Sequence, residues 1–87
     1  MADEEILVGE VFTFFVQPSV AAIKVRGEIN IKDRLHFKGT TTDFYITVET
    51  MEIDRQRVES VSSGQEVGIK VPERVRPNDK VYSVKDE

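Results

Sequence analysis

The chain has 87 residues with no cysteine, one histidine, 39% apolar and 32% charged residues, and a net charge of −4. That length makes one domain; the cysteine count excludes disulfides and thiolate metal sites, and a lone histidine excludes a histidine metal cage. The apolar share is that of a globular chain, held together by buried Val, Ile, Leu and Phe or by association.

The apolar pattern runs with a period of two almost throughout, and no ten-residue stretch carries a helical period. A first strand is expected from about Ile6 to Val16, apolar on both faces at Val11-Phe12-Thr13-Phe14-Phe15-Val16 and broken by Gln17-Pro18-Ser19. Strict alternation sends either Phe15, or Phe12 with Phe14, outward. Val20 to Arg26 places Ala21, Ile23 and Val25 on one face and Lys24 and Arg26 on the other. Arg34 to Lys38 places Leu35 and Phe37 inward and Arg34, His36 and Lys38 outward. Asp43 to Asp54 reads as one long strand whose apolar phase slips near Thr50, the mark of a bulge or bend. Arg57 to Val61, Glu66 to Val71 and Asp79 to Val84 complete the set, with a turn at Ser62-Ser63-Gly64-Gln65.

These elements predict an all-β domain, a small closed antiparallel barrel of six to seven strands over residues 1–87, with flexible ends at 1–5 and 85–87. Closure is the expected remedy for exposed edges. Ile31-Lys32-Asp33-Arg34-Leu35 and Pro77-Asn78-Asp79-Lys80-Val81 repeat one pattern, Asp-basic-aliphatic, and each aspartate is expected to bond backbone N–H groups of its turn.

No apolar run is long enough for a membrane helix. The acidic start, Met1 to Glu5, is not a signal peptide, so the expected location is the cytoplasm. Gly64 to Lys70 lacks the spacing of a phosphate loop. Glu49, Glu52, Asp54 and Glu59 read as a solvated face beside Arg55 and Arg57. His36 reads as a surface residue between two cations, without the partner a catalytic base needs. The expectation is a protein with no catalytic residues, no cofactor, no metal and no bound nucleotide. Lys24 to Lys38 holds five basic and two acidic residues, net +3, leaving −7 on the rest. If their strands are neighbours, Lys24, Arg26, Arg34, His36 and Lys38 form one basic patch suited to RNA phosphates, although the net charge opposes general nucleic-acid affinity. Phe12 and Phe14 are the further candidates, for base stacking or a protein contact.

Several segments in order carry a likeness: Val8-Gly9-Glu10-Val11, Ile29 to Leu35, Gly39, Thr42-Asp43-Phe44 leading into Val48 to Ile53, Ser63 to Ile69, and Val75 to Tyr82. Together they resemble the second, β-barrel domain of translation GTPases of the elongation factor Tu and initiation factor class, above all stand-alone proteins made of that barrel. The resemblance covers about Val8 to Val84. Lys32 and Asn78 depart from it, standing where the family has glycine; lysine tolerates a left-handed turn poorly, so the first turn is expected to differ in type. The resemblance implies a Greek-key barrel and contact with tRNA, ribosomal RNA or a ribonucleoprotein. Similar barrels are also appended to RNA-modifying and peptidase-like enzymes, which gives the alternative, a protein-interaction or accessory domain docking on a separate enzyme or translation component.

Overall fold

The computed structural model describes residues 4–85. The expected flexible ends at 1–3 and 86–87 lie outside them, while residues 4, 5 and 85 are in strands. Among the described residues there are ten strands and no helix: β1 Glu4–Phe15, β2 Val20–Val25, β3 Glu28–Asn30, β4 Arg34–Lys38, β5 Asp43–Thr47, β6 Met51–Ile53, β7 Gln56–Val58, β8 Ser60–Ser62, β9 Glu66–Lys70 and β10 Lys80–Lys85. Eight form one sheet in the order β5-β4-β10-β1-β2-β9-β6-β7, and β3 pairs β8 in a separate ribbon. Every ladder is antiparallel.

No closed barrel is found: β5 and β7 end the sheet and do not pair with each other. The reason lies at the phase slip. The expected strand 43–54 is two strands, first and seventh in the sheet order. Val48 leaves the ladder and bonds a turn instead, its N–H donating to Asp33 O (2.9 Å) and its C=O accepting from Lys32 N–H (2.7 Å). Four peptide steps, at most roughly 14 Å, then carry the chain from Thr47 to Met51. The sheet must therefore roll until its two ends stand close, yet it stays open along that seam. Its inner face buries one cluster that includes Val11, Ile23, Leu35, Phe37, Met51, Ile69 and Val81, and Ile29 and Val61 of the ribbon join it.

The repeated Asp-basic-aliphatic segments form the same turn twice. Asp33 Oδ2 accepts the N–H of Asn30, and Asp79 Oδ2 that of Arg76, both at 2.9 Å. Each aspartate also donates its own N–H to the carbonyl of that residue, at 3.1 Å in both turns. Lys32 and Asn78 have φ of 79° and 78°, so the expected difference in turn type is corrected. The aspartate carboxylate and the bonds to Val48 fix the turn firmly enough that lysine accepts the left-handed conformation. The docking is duplicated as well: Asn78 N–H donates to Val11 O (2.7 Å) and Val11 N–H to Asp79 O (2.8 Å). Val48 and Val11 are thus equivalent, both fully buried. At Gly64, φ of 96° closes the turn before β9, as the sequence implies.

Candidate functional site

Of the candidate residues, Lys24, Arg34, His36, Lys38 and Phe12 have their side chains on the outer face of the sheet, Arg26 follows β2, and Phe14 does not share that face. Cross-strand register sets one row there: Asp43, Lys38, Lys80, Glu10, Lys24 and Glu66, from β5 to β9. Strands β4 and β2 are therefore not neighbours; β10 and β1 stand between them. The expected single basic patch is corrected on that ground. Glu10 interrupts it, bonding Lys80 Nζ and Arg26 Nε, the latter at 2.8 Å. The Lys80 bond first, and the Arg26 bond second, hold the Glu10 carboxyl below its usual range. Lys24 and Lys38 are exposed, and Arg34 is exposed with its guanidinium 5.1 Å from the Tyr45 ring centre.

His36 is not a surface residue. It points to the outer face but is only 5% exposed, covered by side chains that sequence separation hides. Its Nδ1–H donates to Glu5 Oε1 (2.8 Å) and its Nε2–H to Asp43 Oδ1 (2.6 Å). Tyr45 stacks on the ring at 4.1 Å, and Tyr45 Oη–H donates to Glu5 Oε2 at 3.3 Å. Ionised carboxylates only accept, so a carboxylate at each ring nitrogen favours the doubly protonated imidazolium form. Burial disfavours that charge, but the bonds to Glu5 and Asp43 outweigh it and hold the pKa above the ordinary 6.5. A pKa raised by folding stabilises the fold fully below the unfolded value and no longer above the folded one. The melting temperature is therefore expected to fall as pH rises from 6.5 through the raised pKa. His36→Gln, which cannot titrate, is expected to flatten that part of the pH profile; an unchanged slope would place the titration elsewhere.

The phenylalanines correct both alternatives drawn from alternation. Phe12 and Phe15 face outward together, 46% and 53% exposed, while Phe14 is partly buried against the core. The register of β1 on β2 shifts between Val11 and Thr13; the extra residue reverses the phase and sends both rings to one side. Phe14 packs against the core and does not share the outer face with Phe12. Among the described residues, no group of three or more His, Cys, Asp or Glu is arranged to hold a metal ion, and no helix is long and apolar enough to cross a membrane.

No protein-family model matches the chain. A collagenase of Porphyromonas gingivalis strain W83 is 37% identical over 81 residues, 91% of this chain and 20% of its own length. A protease of Methanocaldococcus jannaschii described as uncharacterized is 34% identical over 83 residues, 94% of this chain and 20% of its own. The chain thus spans about one fifth of the curated relatives it matches. Among solved structures, the C-terminal domain of a U32-peptidase-type protein of Geobacillus thermoleovorans superposes with a TM-score of 0.84 at 17% identity, covering 90% of this chain and 91% of that one. Its selenomethionine form gives 0.82 at 19%, over 86% and 95%. The fold is that of these domains. The resemblance to translation GTPases, and the translation role it implied, are corrected by these relatives. The expectation of a non-enzyme is corrected too, since the relatives' names, collagenase and protease, point to a peptidase family, of whose members this chain matches about one fifth.

Proposed function

We propose that this chain is an accessory domain of a peptidase-family protein, docking onto the larger part of such a protein. One observation carries the reading: the chain matches over nine tenths of its length a segment making up only one fifth of proteins named collagenase and protease. The solved domains of the same fold, each the C-terminal part of a peptidase-type protein, agree with it. The names of these relatives lend nothing to RNA contact, and the interrupted row of cations on the outer face does not favour it.

A hybrid tests the reading. In the Porphyromonas gingivalis collagenase, the matched segment is replaced by this chain, and collagen cleavage and thermal unfolding are compared with the parent and with a simple deletion. The hybrid is expected to unfold in a single transition and to cleave collagen better than the deletion. A hybrid whose new domain melts separately, with cleavage no better than the deletion, overturns the proposal.

A further inference from the structure

Phe12 and Phe15 border a wide, open depression in the outer face. They form one wall of a cleft of about 340 Å³. The floor is β9, where Gly68 carries no side chain and leaves depth; a Cβ there would press on Val20 at 3.1 Å. The opposite wall is the β6–β7 hairpin, whose tip is Asp54-Arg55. Three carboxylates line the cleft, those of Glu52, Asp54 and Glu66, against the single cation Arg55. Lys24 and Arg57 lie opposite Glu66 and Glu52 in the ladders, but among the described residues no ion pair takes up any of the three carboxylates.

Two departures from regular β structure build this cleft. The bulge in β1 turns both phenyl rings outward. The hairpin tip holds Asp54 and Arg55 at φ of 52° and 66°, a two-residue turn that Asn-Gly fills with least strain. An aromatic wall facing unpaired carboxylates across an open cleft is complementary to a cation on an apolar stem. A guanidinium lies over a phenyl face while its N–H groups reach a carboxylate.

We infer that the cleft between Phe12 and Phe15 and the β6–β7 hairpin is the docking surface of this domain, and that its occupant is a polypeptide segment presenting arginine or lysine beside an apolar side chain. The inference rests on the accessory-domain reading for the occupant being part of the peptidase-family protein; the cleft's preference for a basic segment rests on geometry and charge alone. A phosphate backbone is repelled by the same carboxylates.

The test is amide NMR of the ¹⁵N-labelled 87-residue chain with two amidated peptides, Gly-Arg-Leu-Arg-Gly and Gly-Glu-Leu-Glu-Gly. The basic peptide is expected to shift the amides of Phe12, Asp54 and Gly68, less so as salt is added, and the acidic peptide to leave them in place. The double variants Phe12→Ala/Phe15→Ala and Asp54→Asn/Glu66→Gln are each expected to weaken binding about ten-fold, their spectra otherwise keeping native dispersion. Asparagine suits the left-handed backbone at position 54, so the second variant does not depend on the first one folding. No shifts with the basic peptide, equal shifts with the acidic one, or undiminished binding by both variants overturns the inference. A cleft that binds while the collagenase hybrid fails removes only the accessory reading; the converse removes only the cleft.

Discussion

Replacing Phe37 by alanine is expected to lower stability by about 4 kcal/mol, roughly 20 °C in melting temperature for a domain of this size. The side chain is completely buried. It sits on β4, between Val81 of β10 and Phe44 of β5, and its ring lies 5.1 Å from that of Phe44, nearly parallel. Truncation removes that stacking and leaves a cavity where three strands meet, and close-packed neighbours relax only partly into such a space. Small domains have little stability to spare, so the variant is expected to be partly unfolded at 37 °C. Phe12→Ala removes the same ring from the outer face and is expected to lose less than about 1 kcal/mol. Urea unfolding of the two variants side by side is the check. Equal losses would mean that the inner and outer faces of the sheet are wrongly assigned.

Gly39→Ala is the second large effect, expected at about 3 kcal/mol. A Cβ at this position would overlap the carboxylate of Asp79, with backbone geometry leaving it nowhere else to go. That carboxylate is buried and holds the N–H of Arg76. Pushing it aside combines overpacking, about 1–3 kcal/mol, with a buried hydrogen bond lost, about 1–3 kcal/mol. The two contributions meet on one group, so they do not add with a second substitution. Once Asp79→Ala has cleared the carboxylate, Gly39→Ala is expected to lose little more. A double variant whose loss equals the sum of the singles would show that the glycine acts through something other than Asp79.

Local chemistry was legible in the sequence, and long-range pairing was not. The strand Arg34–Lys38 and the inward set Ala21, Ile23 and Val25 follow from alternation, because that signal lies within a few residues. The two aspartate turns were readable for the same reason. Their likeness to a translation-factor motif misled because the pattern reports a turn, with a left-handed residue and an aspartate behind it, and any fold needing that turn selects it. The phase slip at Thr50 was visible, but a slip reads the same whether a strand bends or the chain crosses to the far end of the sheet. At Phe12 and Phe15 a bulge reversed the parity, and nothing in a run of aromatics marks where the extra residue falls. His36 was misplaced because its cover comes from Glu5, 31 residues away, on a strand whose neighbours the pattern did not reveal.

The twin turns also set how the domain meets mechanical load. In the first, the chain runs from Asp33 up β4 and back down β5 to Val48, with Arg34 opposite Thr47. In the second, β10 runs up from Asp79 and β1 comes back to Val11, with Lys80 opposite Glu10. The second unit is therefore the same hairpin with its tip cut open, Glu4 facing Lys85 across the cut. Glu4 and Lys85 stand side by side as a facing pair, so a pull applied through these two residues acts at one end of the ladder. Tension between the two sides then opens the β1–β10 ladder as a zip, pair by pair from Glu4–Lys85. It does not shear all the rungs at once. The opening passes the register shift between Leu7 and Gly9, where the ladder is already interrupted, and then meets the Val11–Asp79 clamp, which stands between the seam and the core.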